Sequence, residues 1–428
     1  MVYWTCYIKT MLQTIKSKTY EYLSSKSRYV YFVLLGLFTQ IVSILLPKNS
    51  SISDSEEAFC NFYITKLNIF NVHIDCDSQY FLLDSQDPTR LLNNQTPLQD
   101  RPLFTFLVFG ISKVLELLRV PSGSITYLGE DGIPQNYHVL NYGLFILMNA
   151  IILTASITIV LSVFFKIKDP KTPLLKLSIF TAIILISQNP INREFFWTPH
   201  TQIFNVLVPA LLFYLAQKNL ILDKRQYYIW FCFISITLLM YPTLSILLPV
   251  LFVRVFQSLG KFYAFSLFLT LIPKLIWPGI LNLLGGNYVD WPIVYHRRFV
   301  WILDSVESKT LLDDSSKKYQ EFLNSLPLTW DIIAFLMFMI GLSLGRKIWK
   351  TGNWSNNSNF IYGGIVLVIY TLAMGLNGAY APRFSGGIVL LLSLIVLFEV
   401  RKAKDKVILL KIAIFGSLSA NCLYWLLN

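Results

Sequence analysis

Long apolar runs separated by short polar or basic connections fill most of this chain. A helix needs about 20 apolar residues to cross roughly 30 Å of hydrocarbon. Read with a window of that length, the pattern predicts eleven crossings, at 29–46, 138–165, 174–189, 203–217, 227–241, 243–257, 262–284, 328–345, 360–376, 384–400 and 407–427. Several are short, which allows tilted or re-entrant segments. The Tyr241-Pro242 junction is either a break between two helices or a kink in one long helix. The expected fold is an all-α polytopic membrane protein, a single domain over residues 1–428.

Lys and Arg test that pattern, because they collect in cytoplasmic connections. The clusters Lys9/Lys16/Lys18/Lys26/Arg28, Lys166/Lys168/Lys171/Lys176, Lys218/Lys224/Arg225, Arg254/Lys261, Arg346/Lys347/Lys350 and Arg401/Lys402/Lys404/Lys406 share one side if the N-terminus is cytoplasmic. That solution requires the apolar stretch 102–120, which contains Lys113, Glu116 and Arg119, to be an interfacial amphipathic helix and not a crossing. The first outer loop then runs from 47 to 137 and a second from 285 to 327, with shorter outer segments at 190–202 and 377–383. No cleavage site follows the first apolar run, so the first helix is expected to stay as an anchor.

Composition agrees: 54% of residues are hydrophobic and only 14% charged. The net charge of +12 does not indicate nucleic acid, because the basic residues sit in the short connections and report topology. Carboxylates are concentrated instead in residues 47–101, where eight of them face four basic residues. Of five cysteines, Cys60 and Cys76 share this loop, and they are either a disulfide or two free thiols. Neither their spacing nor the four scattered histidines forms a zinc signature. No cofactor is assigned, and a divalent cation is left open.

Chemistry concentrates in the run Asp75-Cys76-Asp77-Ser78-Gln79-Tyr80-Phe81-Leu82-Leu83-Asp84, followed by Pro97-Leu98-Gln99-Asp100-Arg101-Pro102-Leu103-Phe104. This arrangement resembles the first outer loop of the C-type glycosyltransferases, polytopic enzymes that include protein O-mannosyltransferases and the aminoarabinose transferase of lipid A. In that family an acidic motif with a following Tyr precedes a basic, proline-containing segment that opens an interfacial helix. The resemblance covers roughly the first 170 residues. This chain has Asp77-Ser78 where the family often has two acids, and Arg101-Pro102-Leu103 where it often has a double proline.

The resemblance implies transfer of a sugar from a polyprenyl-phosphate carrier to a glycan, lipid or protein acceptor on the outer face, usually with inversion. Such chemistry needs a carboxylate to take the acceptor proton and cations for the departing lipid phosphate. Asp77 is the expected base, with Asp75, Asp54 and Glu56 as alternatives, and a solvated carboxylate or helix cap as the plain reading. Expected at the donor phosphate are Arg193, His200, Arg383, Arg101 and Lys274. An interfacial Arg also snorkels to headgroups without any such role. Lys274 lies inside a predicted span between Pro273 and Pro278, where an unpaired charge costs about 2.5–3.5 kcal/mol. It therefore faces either a polar cavity or, through a broken helix, an interface. Tyr80, Glu194, Trp197 and Trp291 are candidate sugar or acceptor contacts, while Asp313-Asp314 and Lys317-Lys318 read as solvated surface.

A polytopic transporter or lipid flippase and a lipid-linked glycan polymerase or ligase are the competing classes. The first would be favoured by two related halves, which are absent from the sequence, and the second by essential Arg and His in 285–327. The expected setting is a bacterial plasma membrane with the site outside, or else the endoplasmic reticulum membrane.

Overall fold

The computed structural model describes residues 29–42, 62–63, 73–74, 76–92, 96–128, 134–166, 173–217, 219–289, 300–324, 328–352, 358–377 and 381–400. Helix α1 (Tyr29–Val42) is followed by strands β1 (Phe62–Tyr63) and β2 (His73–Ile74), which pair antiparallel. Next come α2 (Cys76–Gln86), a 3-10 turn (Pro88–Leu92), α3 (Pro102–Leu117) and the hairpin β3 (Ser124–Leu128) and β4 (Pro134–His138). The chain continues through α4 (Val139–Phe165), α5 (Pro173–Ser187), α6 (Pro190–Phe195), α7 (Phe204–Leu215), α8 (Lys224–Thr237), α9 (Leu247–Leu259), α10 (Lys261–Ser266) and α11 (Ile272–Leu283). It ends with α12 (Val300–Glu307), α13 (Leu311–Asn324), α14 (Leu328–Thr351), α15 (Ser358–Asn377) and α16 (Ala381–Val400).

The protein is thus mostly helical, and within the described residues helical segments occupy each predicted stretch up to residue 400, with 262–284 divided between α10, a 3-10 segment and α11. The last predicted span, 407–427, lies outside the described residues. Among the described residues, four stretches are long and apolar enough to cross a membrane by length and composition: Val139–Phe165, Pro242–Leu259, Lys261–Leu283 and Trp330–Thr351. Shorter apolar helices occupy Tyr29–Val42, Leu175–Ser187, Thr201–Leu215, Asn359–Gly375 and Ser385–Val400.

Local chemistry explains the boundaries. Proline lacks an N–H and has a preset φ, so it suits a first helical turn; Pro102, Pro173, Pro190 and Pro242 all open helical segments. Asn189 caps α6 by accepting the Ile191 N–H at 3.0 Å, and Asp223 with Gln226 forms a capping box at α8. Tyr241 is extended (φ −152°, ψ 96°), so the Tyr241-Pro242 junction is a break between two helices and not a kink.

Helices α7 and α16 form the centre. Every residue of α7 except Tyr214 is buried, and α16 packs against α5, α7, α14 and α15. Close approach there depends on Gly387, where a Cβ would lie 2.5 Å from the Tyr370 hydroxyl and 3.1 Å from the Asn205 carbonyl oxygen. Around α7, rings from four helices interlock: Phe81 of α2, Phe104 of α3, Phe145 of α4 and Phe204 of α7, with Phe204 stacked on Tyr241 at 5.6 Å. This aromatic cluster holds α2 and α3 on the bundle.

Candidate functional site

The helix expected over 102–120 is present as α3, ending at Leu117. Its inner half is fixed by buried Phe104, Thr105 and Val108, while Val114, Leu117 and Leu118 on its distal half are exposed. Its first free N–H, that of Leu103, donates to the Leu239 carbonyl at 3.2 Å, which ties the start of α3 to the end of α8.

Directly before α3 runs a tight turn, residues 97–100, on which several polar contacts converge. Arg101 donates from Nε to the Asp100 carboxylate at 3.0 Å and from Nη1 to the Thr201 hydroxyl at 3.0 Å. Lys274 of α11 donates to the Asp100 backbone carbonyl, and the Trp277 indole N–H donates to the Gln99 carbonyl at 2.7 Å. Lys274, Trp277 and the buried Leu281 recur at i, i+3 and i+7, so they form the inner stripe of α11, while Leu275, Ile276 and Leu283 are exposed. The lysine of this apolar helix therefore meets a partner in the turn before α3. The partner is backbone, 174 residues away in sequence.

The same turn is braced from behind by Asp84. This carboxylate is fully buried and accepts from Arg90 Nε at 3.0 Å and from the Thr96 hydroxyl. Burial pushes its pKa up to about 6, with the Thr96 and Arg90 hydrogen bonds pulling against that rise. The neighbouring Ser85 receives the amide of buried Asn141 at both its carbonyl and its hydroxyl, each at 2.9 Å. Asp84 is a structural member of the acidic run.

His200 is also interior: its ring lies 5.4 Å from Phe81 and 4.9 Å from Phe195, and its Nδ1 accepts the Gln202 N–H at 3.0 Å. It borders Thr201, and so the Arg101 contact, from the buried side. Trp197, expected to face a sugar, uses its indole N–H to hold the Gln40 carbonyl of α1 at 3.1 Å. Asn149 of α4 donates to the carbonyls of Phe195, Phe196 and Thr198 at 3.1, 3.0 and 2.9 Å, which fixes the whole 195–200 segment.

Arg101, Lys274 and His200 are therefore gathered around Asp100 and Thr201. Tyr80 is half-buried on α2. Cys76 and Asp77 open α2, Arg193 and Glu194 belong to α6, and Arg383 lies in the first turn of α16. Helices α6 and α16 are in contact. Asp54, Glu56, Cys60, Asp75 and Trp291 lie outside the described residues. Among the described residues no three His, Cys, Asp or Glu side chains are grouped to hold a metal ion.

Sequence reasoning missed Thr201, Gln99 and the buried set Gln202, Asn205 and Tyr241, in which the Tyr241 hydroxyl donates to Asn205 Oδ1 at 2.7 Å. Their signal in the sequence is only that they are polar residues within or beside apolar runs. Asp314, expected to be solvated, lies at the surface and accepts hydroxyl hydrogen bonds from Ser305 and Thr310 at 2.6 Å each, which lower its pKa. A cavity of about 330 Å³ lined by Leu248, Pro249, Phe252, Phe265, Leu267 and Phe268 has no polar wall and offers no chemistry of its own.

Fold and site together define the class: a mostly helical membrane protein with a polar, doubly cationic junction at the head of α3. No family model, curated protein or solved structure matches the chain.

Proposed function

We propose that this protein is a glycosyltransferase of the C-type architecture that moves a sugar from a polyprenyl-phosphate donor to an acceptor hydroxyl at the outer membrane face. In this reading the chain crosses the bilayer eleven times, with its N-terminus cytoplasmic and 47–137 outside. The observation that carries the reading is the meeting of Arg101 and Lys274 at Asp100. Two cations from separate parts of the chain, one on a membrane helix and one at an interfacial helix start, suit a lipid phosphate that arrives from the bilayer.

Asp77, in the first turn of α2, takes the acceptor proton as the acceptor oxygen bonds to the anomeric carbon. The bond from that carbon to the donor phosphate breaks, and its electron pair leaves on the phosphate. Arg101 and Lys274 stabilise the charge that develops there, and Arg193 of α6 and Arg383 of α16 are further donor-phosphate residues in this reading.

Native mass spectrometry of the purified chain tests this. A polyprenyl-phosphate sugar is expected to accompany the wild type and Asp77→Asn, and to be lost from Arg101→Met and Lys274→Met. Absence of any isoprenoid lipid from the wild type would sink the proposal.

A further inference from the structure

We infer that Gln99 is a positioning residue that holds the two cations of the head of α3 in register, an inference that rests on the lipid-phosphate reading above. Gln99 is fully buried, and both ends of its amide are used across the chain. Nε2 donates to the Leu91 carbonyl at 2.8 Å and to the Asn287 carbonyl at 3.1 Å, while Oε1 accepts the Val289 N–H at 2.9 Å. Its own backbone carbonyl receives Trp277 of α11. One residue thus ties the 3-10 turn after α2, the body of α11 and the stretch leaving α11 into a single joint.

The joint is close-fitting. The Asn287 N–H donates to the Leu92 carbonyl at 3.3 Å, and at Gly286 a Cβ would stand 3.0 Å from that same carbonyl oxygen. Lys274 lies one turn before Trp277 on α11, and Arg101 lies two residues after Gln99, so the joint sets the distance between them. A primary amide suits this task because it both donates and accepts and carries no charge that would compete for the phosphate. Charge attraction alone would draw neither cation to the other.

The test is a double-mutant cycle on the full chain in detergent, with undecaprenyl phosphate as the probe and its affinity read by native mass spectrometry. Gln99→Met and Lys274→Met are each expected to weaken binding about 10-fold, and the double variant to be no weaker than Lys274→Met alone. Trp277→Phe, which leaves Gln99 in place, should reproduce the same non-additivity if Gln99→Met does not fold. Hydrogen exchange at the Asn287 and Val289 amides should quicken in Gln99→Met while α15 and α16 stay unchanged. Additive losses in both cycles, or unchanged exchange at those two amides, would overturn the inference. A wild type that binds no undecaprenyl phosphate would overturn the functional reading itself, and the exchange result would still report on the joint.

Discussion

Helices α4 and α14 both read as long apolar helices in the sequence, yet half of the apolar window of α4 is buried within the protein and only 22% of that of α14. The inner stripe of α4 is Asn141, Phe145, Asn149, Ile152 and Ser156, all buried. The outward residues of α14 are Ile332, Phe335, Phe338, Met339 and Leu342, all exposed. In a bilayer, lipid tails are as apolar as leucine, so apolar character does not separate protein-facing from lipid-facing positions. Polar side chains do, because each must find a partner inside the protein. Asn141 and Asn149 reach α2 and the 195–200 segment, which is why the polar junction is assembled on the α4 side of the molecule.

The strongest way to break this comparison is Asn149→Leu. It removes the side-chain donor shared by three buried carbonyls, of which that of Phe195 keeps the Thr198 N–H, and should cost roughly 3–5 kcal/mol, read as a large fall in Tm in detergent. Little change would mean that the 195–200 segment is held by something else. Next comes pH, acting through Asp84 beside the Asn141 anchor. Its folded pKa, about 6, lies above the ordinary 3.8, so the folded state binds the proton more tightly. The stability this group contributes is full below pH 3.8 and is lost as pH rises through 6, a change of about 3 kcal/mol for a shift of about two units. Asp84→Asn should remove that slope, and Tm measured against pH for the two proteins checks it. An unchanged slope would place the titrating group elsewhere.

A smaller effect is expected at the site. Arg101→Lys keeps the charge but loses the planar fork that spans Asp100 and Thr201, so it should lower lipid-phosphate affinity about 10-fold with Tm nearly unchanged. The smallest should be Phe338→Ala on the exposed face of α14, within about 0.5 kcal/mol of wild type. A large loss there would show that this face is covered by protein, and would erase the contrast with α4.

Much of the architecture was legible along the chain. Apolar runs place the helices because a span must satisfy its own backbone hydrogen bonds, and prolines mark their starts. Helix α3 was readable from Pro102 at its start and from the apolar pattern that follows. The hairpin β3–β4 was not anticipated, although Gly129-Glu130-Asp131-Gly132 between its strands is a turn signal.

For the site, the sequence alone determined which residues are chemically notable: an acidic run, an Arg before a proline, a lysine inside an apolar segment. Only the tertiary structure decided which of them act together. Lys274 could have faced a cavity or an interface, and it meets Asp100 because the inner stripe of α11 packs on the turn before α3. Asp84 and Asp100 belong to the same acidic loop, yet one is sealed beneath the turn and the other stands at the Arg101 junction. Burial and long-range pairing depend on how helices are set against one another, and local periodicity carries no information about that.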